Sequence, residues 1–156
     1  MKRITGIIAA AVAVTLPSAA QAQSGDGLRT MFECSLRNGK TVRVTSQGGN
    51  LFYRYGTQRR DELSLRGSPR SGNVFIRRER YASMHTQLRF VRGTYSYIVH
   101  SMGGNAQTGS NNVSGLVVMR GTRRISSHSC RQHAEFRAGF DLLDRLPEDS
   151  ETYSAM

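Results

Sequence analysis

Alternation is what constrains this chain most. From Phe32 onward, apolar and polar residues change places at every second position in short runs, separated by clusters rich in Gly, Asn and Ser. Phe32, Cys34 and Leu36 interleave with Glu33, Ser35 and Arg37. A period of two puts one set on a buried sheet face and the other in solvent, a pattern no helix can use. Asn38-Gly39 follows and predicts a two-residue hairpin turn, because both residue types tolerate positive φ. Thr41–Thr45 is the return strand, and Gly48-Gly49-Asn50 turns the chain into Leu51–Tyr55. Further strands are expected around Leu63 and Leu65, over Val74–Arg78, Leu88–Val91, Tyr95–Val99 and Leu116–Met119, and through Ile125–Cys130. About nine short strands at this spacing predict an all-β fold, a small antiparallel barrel or sandwich.

The first 22 residues read differently. Lys2 and Arg3 precede Ile4–Leu16, an uncharged stretch of 13 residues that Pro17 breaks, and Ala20-Gln21-Ala22 supplies an A-x-A cleavage signal. This predicts a cleaved signal peptide over residues 1–22 and export to the periplasm or the exterior. No cysteine follows the cleavage site, so no lipid anchor is expected, and no membrane span is expected after cleavage. The expected layout is a β-domain over 23–131, a helix over 132–147 and a flexible tail over 148–156.

Export bears on the two cysteines. Cys34 lies on the first strand and Cys130 on the last, and an isolated pair in an oxidising compartment is expected to form a disulfide. The alternative is a reactive thiol with His128 or His133 as its base.

Charge is unevenly spread. Residues 23–131 hold 18 basic and 5 acidic residues, a balance of +13, while 132–156 hold 2 basic and 6 acidic, or −4. After the leader the only lysine is Lys40, so the positive charge is nearly all arginine, whose planar fork grips carboxylates and phosphates bidentately. The arginines cluster as Arg59-Arg60, as Arg77-Arg78-Glu79-Arg80, as Arg89 with Arg92, and as Arg120 with Arg123-Arg124. Tyr53, Tyr55, Tyr81, Tyr95 and Tyr97 are interleaved among them. An anionic polymer would find both charge and stacking faces, which makes Arg77, Arg78, Arg80, Arg89, Arg120, Arg123 and Arg124 candidate anion-binding residues. In the tail, Phe136, Phe140 and Leu143 fall at helical spacing, with Leu146 beyond, and predict an amphipathic helix resting on the body.

Catalytic signatures are sparse. No Gly-rich phosphate loop leads from a strand into a helix, and no G-x-S-x-G turn occurs. Paired carboxylates could come only from Glu33, Asp61, Glu62 and Glu79, and their spacing gives no hint that they converge. His85 and His100 sit in strand-like contexts, so a small hydrolase is only a residual reading. No metal or cofactor is implied. The stretch Ser101–Met119 has no charged residue, and its portion 101–112 reads as a long polar loop.

The cysteine before Asn38-Gly39-Lys40-Thr41-Val42-Arg43-Val44, with a second cysteine at the far end, resembles the periplasmic inhibitors of c-type lysozyme. The resemblance covers about residues 32–130. It implies a small eight-stranded antiparallel barrel that plugs the lysozyme cleft. That family carries Ser-Gly-x-x-Tyr in a loop and a Lys-Gly pair one strand later, whose Ser and Lys reach the enzyme's catalytic carboxylates. Here Ser71-Gly72-Asn73-Val74-Phe75 and Arg92-Gly93 stand in similar order, with Phe75 in place of Tyr and Arg92 in place of Lys. The resemblance therefore implies partner contacts at Ser71 and Arg92. The sequence thus points to an exported, non-catalytic binding protein, its partner a protein such as lysozyme. The alternative is an arginine-faced binder of anionic envelope polymers such as lipopolysaccharide or nucleic acid.

Overall fold

A computed structural model of the chain describes residues 27–80, 83–137 and 141–151. The leader over 1–22, Tyr81 and Phe140 lie outside them. Among the described residues nine strands run in order: β1 (Arg29–Ser35), β2 (Thr41–Gln47), β3 (Asn50–Gly56), β4 (Asp61–Gly67), β5 (Val74–Arg80), β6 (Met84–Arg92), β7 (Tyr95–Met102), β8 (Val113–Arg120) and β9 (Arg123–Ser129). They form two antiparallel sheets, β1-β2-β3-β4 and β5-β6-β7-β8-β9, each a meander of neighbours in sequence. Low sequence separation makes such pairing cheap in loop-closure entropy.

The alternation becomes a core. Phe32, Val42, Val44, Leu51 and Tyr53 of one sheet join Val74, Leu88, Phe90, Val99 and Leu116 of the other in a single buried cluster. Met31 and Phe32 are adjacent yet both buried, because β1 carries a register shift between Thr30 and Phe32. A bulge of this kind lets two consecutive side chains face away from solvent. The opposite face of the five-stranded sheet has its own buried cluster, Ile98, Val117 and Met119.

One seam between the sheets is closed by main chain and by a covalent bond. Leu36 bridges Cys130, the Arg37 N–H donates to Ser129 O (3.0 Å), and the Arg131 N–H donates to Ser35 O (2.8 Å). Beside this bridge Cys34 and Cys130 are disulfide-bonded with Cα atoms 5.6 Å apart, so the thiol alternative is overturned.

Two local expectations change. The β1–β2 turn is not a two-residue turn at Asn38-Gly39. The Leu36 N–H donates to Lys40 O and the Gly39 N–H to Leu36 O, which makes a three-residue loop, Arg37-Asn38-Gly39, with only Gly39 at positive φ (83°). Asn38 instead uses its side-chain oxygen to accept the Lys40 N–H (3.0 Å). The turn with two left-handed residues lies at Gly48-Gly49 (φ 56° and 72°), between the paired Gln47 and Asn50.

Of the helix expected over 132–147, the described residues hold only α1 (Asp141–Asp144) as helix, and 138–140 lie outside them. Residues 132–137 are irregular, because the body takes their backbone donors: the Ala134 N–H donates to Ser114 Oγ (2.9 Å) and the Arg137 N–H to Met31 O (2.9 Å). The apolar stripe still docks, with Phe136 at 4.9 Å from Phe32 between ring centroids and Leu142, Leu143 and Leu146 in the core. Residues 148–151, expected in the flexible tail, follow β5. The Ile76 N–H donates to Pro147 O (3.0 Å) and the Asp149 N–H to Ile76 O (2.7 Å), a parallel pairing that covers the β5 edge. Among the described residues no helix is long and apolar enough to cross a membrane.

Candidate functional site

Strand register gathers the loops at one end of the five-stranded sheet. The β4–β5 loop, the β6–β7 turn and the β8–β9 turn all lie where β5 begins, β6 ends, β7 begins, β8 ends and β9 begins. The Val91 N–H donates to Asn73 O (2.8 Å), fastening the β4–β5 loop to the end of β6 beside Arg92. The Gly121 N–H donates to Thr94 O (2.9 Å), fastening the two turns to each other. Gly93 opens the tight turn between Arg92 and Tyr95 at φ 59°, a conformation that a side chain would strain.

Ser71 is exposed in this loop, and its hydroxyl closes the loop on itself. Ser71 Oγ accepts the Ser68 N–H (2.7 Å) and lies 2.8 Å from Ser68 O and 2.5 Å from Asn73 Oδ1. One hydroxyl proton serves one of those two acceptors at a time. Arg92 is exposed, and among the described residues it has no ion-pair partner.

The register also aligns charge. Arg92 pairs with Tyr95, Tyr95 with Arg120, and Arg120 with Arg123, so the four stand side by side across β6, β7, β8 and β9. Directly opposite residues of an antiparallel pair share a face with Cβ atoms about 5 Å apart. The Arg120 guanidinium lies over the Tyr95 ring, 5.7 Å from its centroid. Arg124 stands opposite Met119, across the register shift that β8 carries there.

The remaining candidate arginines are not part of this row. Arg77 bonds Glu79 (2.6 Å) and Glu151 O (2.6 Å), and Arg78 pairs with Asp144 (2.5 Å). Arg89 is buried against Asp149 and lies over the Phe75 ring at 4.4 Å. Arg80 is exposed at the far end of β5. The chain's own acidic tail thus occupies Arg77, Arg78 and Arg89, while Arg92, Arg120, Arg123 and Arg124 face solvent. No family model, curated protein or solved structure matches the chain.

The histidines and carboxylates are scattered. His85 and His100 are buried on the outer face of the five-stranded sheet, 6.5 Å apart between ring centroids. Burial, reinforced by the neighbouring His85, pushes the His100 imidazole down to about 4. His85 is also lowered, chiefly by burial, with Glu79 opposing. His133 bonds Glu135 at 3.1 Å. Glu33 pairs with Arg43 (2.6 Å), Asp61 with Arg54 (3.8 Å), Glu62 with Lys40 and Glu79 with Arg77. Glu33 and Asp61 nevertheless line one surface concavity with Arg43 and Arg54, a convergence the sequence spacing does not signal. Among the described residues no three of His, Cys, Asp and Glu gather as metal ligands would.

The polar loop after β7 is ordered by its own side chains. Asn105 and Ser110 exchange backbone hydrogen bonds (3.1 and 3.2 Å), and the Gly104 N–H donates to Asn112 Oδ1 (2.5 Å). Its lack of charge reflects side chains that satisfy backbone groups locally.

Proposed function

We propose that this chain is an exported, non-catalytic binding protein that inserts the β4–β5 loop and the β6–β7 turn into a carboxylate-lined cleft of a protein partner. A c-type lysozyme is the sharpest version of that partner. One observation carries the reading: the Val91–Asn73 hydrogen bond holds the Ser71 loop against the Arg92 turn, with Arg92 exposed and its guanidinium uncommitted among the described residues. A guanidinium entering such a cleft gains charge-assisted hydrogen bonds of about 1.5–3 kcal/mol each. Because the Ser71 hydroxyl is spent within its loop, its role in this reading is to shape the loop, with Arg92 as the anchor.

A second reading, capture of an anionic envelope polymer, is favoured by the Arg92–Tyr95–Arg120–Arg123 row, which offers charge beside a stacking face.

Salt separates the two. C-type lysozymes are basic, so a plug must approach against long-range repulsion and its association rate rises as salt screens that repulsion. Polyanion binding releases counterions and weakens with salt. The test is lysozyme activity on cell-wall suspensions with the purified protein and its Arg92→Ala variant. Dose-dependent inhibition that Arg92→Ala relieves at least tenfold supports the plug. Absence of inhibition at micromolar excess over several lysozymes, with salt-sensitive heparin binding, replaces it with the second reading.

A further inference from the structure

The β2–β3 turn, the β4–β5 loop and the end of α1 border a surface concavity of about 410 Å³. Bare backbone at Gly48-Gly49 lines one side of it, and Pro69, Leu142, Arg70 and Arg145 line the others. Both arginines are exposed, and both stand on rigid chain. Ser68-Pro69-Arg70-Ser71 is a β-turn closed twice: the Ser71 N–H donates to Ser68 O (3.1 Å), and the Ser68 N–H to Ser71 Oγ (2.7 Å). Pro69 at its second position fixes φ, so Arg70 extends from a pre-set backbone. Arg145 follows α1 directly, between Leu143 and Leu146, which are anchored in the core. Its N–H donates to Leu142 O (3.3 Å).

Charge is the anomaly here. The tail settles the arginines of β5 and β6: Asp144 pairs with Arg78, Asp149 with Arg89, and Glu151 O accepts from Arg77. The same tail brings Arg145 to the concavity that Arg70 lines. Among the described residues no carboxylate lines it, and neither arginine has an ion-pair partner. Two guanidiniums gathered without a counter-charge repel each other, and an anion shared between them turns that cost into attraction.

We propose that this concavity binds the terminal phosphate of a phosphomonoester, gripped between Arg70 and Arg145. Two planar forks need more acceptor oxygens than one carboxylate has. A phosphate monoester offers three, with a charge near −2 at neutral pH, roughly −1.5 to −2. A nucleic-acid strand would need charges repeated along a line, whereas this concavity presents one pair. Pro69 and Leu142 give the organic group of the ester an apolar wall. The site shares no residue with the Arg92–Tyr95–Arg120–Arg123 row and does not depend on the plug reading.

The probe is phenyl phosphate, titrated calorimetrically into the purified chain at about 0.1 M salt. Saturable one-site binding is expected, with a dissociation constant of about 0.1–5 mM for a ligand of this size. Arg70→Gln and Arg145→Gln should each weaken it at least about tenfold and leave the unfolding midpoint unchanged. Arg59→Gln, in the turn at the other end of β3 and β4, should bind like wild type. A second arm offers phosphatidylcholine vesicles containing phosphatidic acid. Vesicle binding that both Gln variants lose supports a lipid headgroup as the source of the phosphate. Phenyl phosphate binding without vesicle binding supports a soluble ester. The proposal is overturned if the folded wild type shows no saturable binding of phenyl phosphate, or if either Gln variant binds it as tightly as wild type. It is equally overturned if Arg59→Gln loses as much affinity as Arg70→Gln, or if benzoate binds as tightly as phenyl phosphate.

Discussion

Asp149 and Arg89 form a buried bidentate ion pair across 60 residues of sequence, with Nε–Oδ2 at 2.7 Å and the second contact at 2.6 Å. The two side chains are 6% and 8% exposed. The pair pins residues 147–151 beside β5 and over β6, so an acidic tail becomes a cover for an otherwise open sheet edge. Uncovered edges invite pairing with other chains, and this contact suppresses that.

Removing one partner of such a pair is expected to cost far more than the pair contributes net, because the surviving charge stays desolvated. Asp149→Ala should therefore destabilise the fold by about 3–5 kcal/mol in urea unfolding. Replacing both residues, as in Arg89→Met with Asp149→Leu, should recover much of that loss. A single-variant loss below about 1 kcal/mol would mean that the tail docks by Leu142, Leu143 and Leu146 alone.

The same residues show how far the sequence is legible. All nine strands follow from alternation and turn residues, because a half-buried sheet writes its period directly into the chain. The disulfide follows from there being one pair of cysteines on the end strands. The tail misleads for a physical reason: Phe136, Leu143 and Leu146 keep helical spacing, yet the backbone donors of Ala134 and Arg137 are captured by Ser114 and Met31. Local periodicity does not reveal such long-range capture. The Arg92–Tyr95–Arg120–Arg123 row was hidden likewise, since it exists only once register is known. The opposite charges of body and tail stand in the sequence, but nothing in it marks Asp149 as the acid that is buried.

The Cys34–Cys130 bond closes a separation of 96 residues at the seam made by Leu36 and Cys130. On the chain-entropy account it should contribute about 4–5 kcal/mol. The Cys34→Ala, Cys130→Ala double variant should unfold at correspondingly lower urea. An equal midpoint with and without reductant in the wild type would show that the main-chain seam alone closes the sheets.

Asp144 is exposed and pairs with Arg78, which is also exposed, so this contact adds little to stability. Asp144→Asn should leave the unfolding midpoint nearly unchanged while releasing Arg78. If polyanions bind this surface, heparin affinity should rise, and the slope of log affinity against log salt should steepen by about one. An unchanged slope would confine anion binding to the row at the other end of the sheet.

His100 makes stability depend on pH in one direction. Its folded-state pKa is pushed down to about 4, first by burial and then by His85, while the unfolded chain titrates near 6.5. Above 6.5 neither state is protonated there, and the stability is fully present. As pH falls from 6.5 towards 4, the unfolded state takes up a proton that the folded state refuses, so stability drops, by up to about 3 kcal/mol. His85, lowered in the same sense and facing Glu79 and Arg77, adds to the fall. Gln87 lies opposite His100 on β6 and Gly115 opposite it on β8, so neither neighbour offers a counter-charge. His100→Gln should therefore flatten the urea midpoint between pH 7 and pH 4.5 relative to wild type. Wild type and variant losing stability in parallel over that interval would assign the acid sensitivity to other groups, among them His85 and the ion-paired carboxylates.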